Sequence, residues 1–484
     1  MIVNNLNQVN KDFFHTIIIG SGPAGISAAL EFEKKKIKCL VIEAGPENGF
    51  IMSKLQYKGI AGNELEFLKG TVIGDKYNDL SVTRLRQFGG TSGHWGGTCN
   101  LFLKHTLKDW PIEFNEFNKF LKEAKEVLDI KDSFYEQDFN FNFNQSSLLT
   151  SPVRFYDKFY SRIKNSKYIF LSTQTVFLEF IKGNGNKVKS IKCYKEEKFY
   201  NLEAKFFVLS CGGIENSRML LWSKKKTPSL FKVNLPIGNY YMDHPWQEVG
   251  KGILNYKELK LYYKDNGIEN RDVINCIPYP NIYFTLKKSY IEQNNILNTG
   301  LYLALRSEID KNFLRQIECV APKYIRTLFK NVNYKDIYQV ELFLSQEQEP
   351  KLENRITLSG DLDPLGVPLV NLHWKKSELL RKTAKISTVD FANFLVTKNI
   401  GRLSISEYLF NKNDYETQVG YHQMGGTRIG YSEKDSVVDK NLRVHGIDNL
   451  FVNGSSIFRT SGHNHPTFTI VILAIRLGKY ITAL

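Results

Sequence analysis

Three glycines, Gly20, Gly22 and Gly25, stand in G-x-G-x-x-G spacing directly after the β-branched run Ile17, Ile18, Ile19, and an acidic residue, Glu43, follows 23 residues past the first of them. That combination suits the grip on a dinucleotide. Gly20 permits a tight turn, Gly22 lets a pyrophosphate approach the backbone, and Gly25 with Ala28 and Ala29 lets a helix pack close to a sheet. Glu43 stands where a ribose hydroxyl needs an acceptor. The residues alone leave FAD and NAD(P) both open. Histidine is the other chemistry-bearing type, because an imidazole with an ordinary pKa near 6.5 accepts a proton near neutrality and donates one once charged. Four of the nine histidines, His15, His105, His373 and His445, belong to no motif and are read as structural. His463 and His465 alternate as a metal chelate would, but no third ligand stands at suitable spacing, so no metal is expected.

The elements that position these residues are legible around them. Ile17–Ile19 reads as a buried parallel strand, the helix opens after Gly22, and Cys39–Ile42 reads as the second strand, ending at Glu43. Strands are predicted over 168–171, 188–194 and 206–210, with the turn Gly183-Asn184-Gly185 between two of them. Cys211-Gly212-Gly213 then opens a helix through Arg218 and Leu221, which makes a second strand, glycine, helix unit. From about Trp246 to Gln418 the pattern changes to alternating aromatic runs, such as 281–286 and 301–305, mixed with lysine-rich helices. That stretch predicts a separate antiparallel sheet with helices on one face. The loop RLRQFGGTSGHWGGTCN, residues 84–100, suits either a wrap around a flat ring or a plain glycine turn with a packed tryptophan.

Composition narrows the class. The 484 residues allow two or three interleaved domains, and 42% hydrophobic with 24% charged residues is the balance of an ordinary globular protein. No apolar run spans a bilayer, since the best candidate, 468–477, is short and carries Arg476. The opening MIVNNLNQVNKDFF has no basic patch, apolar stretch or cleavage site, so a cytoplasmic location is expected. Six scattered cysteines lack C-x-x-C spacing and indicate reduced thiols. The net charge of +15 comes from dispersed lysines, and no nucleic-acid motif accompanies it.

The end of the chain, YHQMGGTRIG from Tyr421, then SVVDKNLRVHGIDNLFVNGSSIF and RTSGHNHPTFTIVILAIRLGKYI, resembles the glucose-methanol-choline (GMC) oxidoreductases. The segments VLSCGGIENSRM (208–219), IGNYYMDHP (237–245) and NRITLSGDLDPLGVPLVNLHW (354–374) resemble further motifs of that family in the same order, and the likeness is closest to its pyranose oxidase and bacterial sugar dehydrogenase branch. The resemblance implies an α/β protein, α+β overall, with a Rossmann-like FAD-binding domain and an interleaved substrate domain on an antiparallel sheet. The expected boundaries are 11–104, 165–245 and 425–484 for the FAD domain, and 105–164 and 246–424 for the substrate domain and cap.

The resemblance also implies FAD-dependent oxidation of an alcohol, foremost a pyranose hydroxyl, with hydride passing to flavin N5. His422 would be the general base and His465 the partner that hydrogen-bonds the substrate oxygen; His463 and Asn464 stay open as further contacts. His465 would occupy the cap of a helix over 467–483, with Pro466 suited to its first turn and its positive end facing the flavin. FAD contacts are expected from Gly89, Gly90, Ser92, His94, Trp95, Val176, Gly212, Asn453, Gly454, Pro466 and Thr467, beside Gly20, Gly22, Gly25 and Glu43. The resemblance of GGTSGHW to the pyranose 2-oxidase loop implies that His94 touches the flavin, either through a covalent bond as in some relatives or, as the favoured reading, without one as in others with the same pattern. Partners would be a sugar or glycoside, and dioxygen, a quinone or a separate carrier as electron acceptor, with no nucleic acid. Two other readings remain: an NAD(P)-dependent dehydrogenase, and a flavin-binding electron-transfer or non-catalytic module.

Overall fold

A computed structural model describes residues 1–8, 14–47, 63–131, 136–138, 141–146, 149–231, 233–265, 281–308, 337–411 and 418–484. Its first sheet is built on Phe14–Ile19, whose isoleucines are entirely buried. Cys39–Ile42 lies parallel on one side of it and then pairs with Ile169–Ser172. On the other side runs the long strand Lys198–Leu209. Its first half pairs antiparallel with Val188–Lys195 and thence Val176–Lys182, while its second half takes Phe14–Ile19 and Leu450–Val452 as parallel neighbours. Strands buried on both faces read as continuous apolar runs, which is why Ile17–Ile19 and Cys39–Ile42 carry no alternation.

A second sheet of antiparallel strands has the order Gly401–Ile405, Pro245–Asn255, Ile337–Gln346, Thr299–Glu308, Asn281–Leu286, Phe143–Ser146 and Glu136–Asp138. The helix Glu378–Thr397 covers one face of it, placing Phe391, Phe394 and Leu395 against Phe143, Phe284 and Leu301. A small third sheet joins the hairpin Arg355–Leu362 and Pro368–Trp374 to Gly70–Gly74, which lies parallel to the second of these strands. That sheet therefore runs across the expected boundary between residues 11–104 and 246–424. The last helix, Thr467–Ile481, packs on Pro23–Lys34 so closely that a methyl on Gly478 would lie 2.8 Å from the Ala28 carbonyl oxygen. The mixed α/β architecture with a Rossmann-like sheet and a separate antiparallel sheet agrees with the expectation. Among the described residues no helix is long and apolar enough to cross a membrane.

Candidate active site

A cavity of about 720 Å³ runs between the two sheets. At one end it meets the first glycine turn. Gly20, at φ +101°, presses against the Ser210 carbonyl, where a Cβ would sit only 2.5 Å from the oxygen. Gly22 faces Gly90 of the second glycine loop, and a Cβ on Gly90 would come within 3.0 Å of the Gly22 Cα. Three helices begin on this cavity, after Gly22, Gly212 and Pro466, and none of the three N-termini has a side-chain cap. Their free backbone N–H groups and dipole ends therefore face the cavity and favour an anionic ligand. Glu43 is buried beside them and lines the cavity. Its Oε2 accepts from Ser21 N (3.0 Å) and Ser21 Oγ (2.6 Å), and Oε1 accepts from Gly45 N (2.9 Å). A carboxylate has about four lone-pair positions, so one remains for a ribose hydroxyl. These residues fit a dinucleotide.

At the other end His422 and His465 open into the cavity with ring centroids 4.6 Å apart at 72°. Behind them, entirely buried, lies His244, whose Nδ1 is 2.9 Å from His422 Nδ1 and whose Nε2 is 3.2 Å from the Ser461 carbonyl oxygen. Tyr302 OH stands 3.4 Å from His465 Nδ1. Burial, then the neighbouring His465 and His244, holds His422 well below its ordinary value. Burial and His244 bring His465 to about 3, and burial brings His244 to about 4 despite its bonds to backbone carbonyls. All three rings are neutral at physiological pH, so the site holds proton acceptors. Trp246, which also lines the cavity, stacks on Phe343 at 5.8 Å and 18°, and lies 4.9 Å from Tyr302.

One flank carries a buried ion-pair network. Glu215 bonds Arg84 and Arg218 at 3.0 Å each, and Arg218 reaches Asp363 at 2.6 Å. Against the upward push of burial, Arg218 and Arg84 hold the Glu215 carboxyl below its ordinary value.

The cavity brings together His422, His465, Gly20, Gly22 and Glu43 with Gly90, Ser92, His94 and Trp95. Val176, Gly212, Gly454, Pro466 and Thr467 complete its predicted lining. Three expected contacts are not on it. Gly25 sits inside the turn, where a Cβ would lie 1.9 Å from the Gly20 carbonyl oxygen, so its part is helix packing. Gly89, at φ +85°, turns the second loop and abuts the Tyr156 backbone. Asn453 ties the end of the chain to the first helix by donating to Ala24 O at 3.1 Å. Pro466 rather than His465 occupies the helix cap.

Neither open alternative reaches the cavity: Asn464 donates to Leu101 O and accepts from Tyr283, and His463 is fully buried. Sequence reasoning missed His244, although the quoted Asp243-His244-Pro245 triplet contains it. Among the described residues no His, Cys, Asp and Glu group could hold a metal.

The fold and this site define a dinucleotide-binding protein with a histidine pair opening into the same cavity. Comparison with known proteins gives the particular kind: residues 15–53 match an FAD binding domain, and residues 350–474 match the GMC oxidoreductase family. The C-terminal region is thus a GMC oxidoreductase domain, and the dinucleotide is FAD. The chain is 23% identical over 302 residues to the fructose dehydrogenase large subunit of Gluconobacter japonicus, covering 61% of this chain and 51% of the relative. It is 26% identical over 298 residues to 2-methyl-1,2-propanediol dehydrogenase of Mycolicibacterium austroafricanum, covering 58% and 49%. It spans about half the length of these relatives. The fold also matches a formate oxidase variant of Aspergillus oryzae RIB40 with a TM-score of 0.59 at 14% identity, over 98% of this chain and 99% of the other.

Proposed function

We propose that this protein oxidises an alcohol, foremost a sugar hydroxyl, with His422 as the proton acceptor and FAD as the oxidant. The observation that carries the reading is the pair of neutral imidazoles, 4.6 Å apart, opening into the same cavity as the uncapped helix N-termini and glycine turns. When bound, FAD would supply the two-electron acceptor for the hydride of the carbinol carbon. His422 takes the hydroxyl proton, so that the carbon–oxygen double bond forms as the C–H bond breaks. His465 hydrogen-bonds the same oxygen and orients it. The uncapped N-terminus of Thr467–Ile481, which opens on the cavity, would favour negative charge on the bound cofactor. Trp246, backed by Phe343 and Tyr302, offers the apolar face on which a sugar ring stacks.

The fructose and diol dehydrogenase relatives support a polyhydroxylated substrate, and dioxygen, a quinone or a separate carrier would reoxidise the flavin. The test is anaerobic mixing of the FAD-loaded protein with pyranoses, glycosides, phosphorylated sugars and simple alcohols, following the oxidised-flavin absorbance. Bleaching by sugars is expected. Bleaching by simple alcohols alone overturns the sugar assignment, and a yellow colour that survives the whole panel favours a non-catalytic flavin module. His422→Ala should keep its flavin yet be reduced about 100-fold or more slowly; undiminished reduction removes His422 from the chemistry.

A further inference from the structure

We propose that His244 is a positioning residue that holds the proton of His422 on Nδ1 and so presents Nε2 to the substrate as a bare lone pair. The inference rests on His422 being the proton acceptor and says what makes it one. The Ser461 carbonyl, 3.2 Å from His244 Nε2, can only accept, so that nitrogen carries the proton. A neutral imidazole has one donor and one acceptor, which leaves His244 Nδ1 as the acceptor. The atom it faces at 2.9 Å is His422 Nδ1, which must therefore donate. The opposite tautomer of His422 would set two lone pairs against each other inside the protein. Gly420 closes the same edge of the ring, since a Cβ there would lie 2.9 Å from Nδ1 and 3.2 Å from Cε1. The Nε2 edge is left for the cavity.

One carboxylate sets the spacing of the two rings. Asp243 Oδ1 accepts from the backbone N–H of His244 at 2.7 Å and of His422 at 2.8 Å, and its Oδ2 accepts from Tyr77 OH at 2.5 Å. Gln348 Oε1 accepts from the Asp243 N–H at 2.8 Å and fixes the clamp from the segment just after the strand Ile337–Gln346. Tyr302 OH lies 3.4 Å from His465 Nδ1, and a phenol donating there would keep the His465 proton on Nε2. The substrate hydroxyl, which must donate one proton and accept another, then meets one acceptor and one donor. The titratable groups around the pair are His465 beside His422, His463 behind His244, and the Asp243 carboxyl on the two backbones.

The test uses the FAD-loaded protein with histidine labelled by ¹⁵N in the ring. In the unsubstituted protein His422, assigned by the signals lost in His422→Asn, should show a pyrrole-type Nδ1 and a pyridine-type Nε2; the reverse pattern overturns the proposal. Anaerobic flavin reduction is then measured against pH in two variants. His244→Leu removes the acceptor and should slow reduction at least about 100-fold with flavin content unchanged. Its acidic limb should shift, because His244 both accepts the Nδ1 proton of His422 and bears on its pKa. His244→Asn places an acceptor oxygen near the former Nδ1 and should recover most of the rate. Equal impairment of both variants, or a His244→Leu protein with unaltered rate and pH profile, overturns the proposal. If His244→Leu fails to fold, the ring nitrogens of the unsubstituted protein still decide. Full activity of His422→Ala would instead sink the reading of His422 as base, a separate result.

Discussion

Glu43 shows how much a single side chain carries. Its two oxygens hold Ser21 N, Ser21 Oγ and Gly45 N, so it braces the first glycine turn from within as well as lining the cavity, where we propose that it takes a ribose hydroxyl. Glu43→Ala should weaken FAD binding about tenfold, roughly 1.4 kcal/mol, and lower the ratio of flavin to protein absorbance after purification. It should also destabilise the chain by roughly 1–3 kcal/mol for stranding buried N–H groups, read by urea unfolding. Full flavin content would refute the ribose assignment. Glu43 was legible because a fixed number of residues separates it from Gly20. His422 and His465 were legible through the motifs that hold them. His244 was not, because its meaning lies in one contact across 178 residues of chain, and no local pattern in the sequence records a contact of that range.

The elements divide in the same way. Cys39–Ile42 and Asn281–Leu286 fall where β-branched and aromatic content places them, and the hairpin Arg355–Leu362 with Pro368–Trp374 fills the predicted 354–374 segment. The pairing of Gly70–Gly74 with Pro368–Trp374 was hidden, since a parallel partner three hundred residues away leaves no local period. Within the first turn the glycines separate by task, and a pair of substitutions distinguishes them. Gly22→Ala meets nothing nearer than the Gly90 Cα at 4.0 Å, so the protein should keep its stability yet lose most of its FAD, the methyl standing where the pyrophosphate approaches. Gly25→Ala drives a methyl to 1.9 Å from the Gly20 oxygen, which forces the helix outward and should cost about 1–3 kcal/mol of stability as well as the flavin. Thermal melting and flavin absorbance on both variants check this; equal stability of the two would show that the turn yields where it is drawn tight.

Across the whole molecule, the seam between the sheets concentrates buried titratable groups. Burial holds four imidazoles below their ordinary value: His244 at about 4, His465 at about 3, His422 and His463 well down. Burial also pushes two carboxyls up, Asp243 to about 7 and Glu347 above its usual range. As pH falls from 6.5 toward 4, the unfolded chain takes protons on the histidines that the folded chain refuses, so stability drops. The two carboxyls act in the opposite sense, because the folded chain protonates them first. Four groups outweigh two, and stability should decline on acidification by about 1.4 kcal/mol per pH unit for each net proton. Urea midpoints across this range test it; a flat profile would mean that the seam admits protons freely. Composition foretold nothing of this, since the net charge is spread over lysines remote from the seam.

The interleaving of the chain also governs how the protein is made. Leu450–Val452 enters the first sheet beside Lys198–Leu209, and Thr467–Ile481 seals the first helix, so the sheet that begins at Phe14 is finished by residues translated more than four hundred codons later. Until then a nascent chain emerging from the ribosome displays an unpaired strand edge and half a flavin cradle, a state open to mispairing with its neighbours. The flavin cradle is therefore complete only once residues 450–481 are in place, and FAD, by binding the folded chain, should favour it over its incomplete forms.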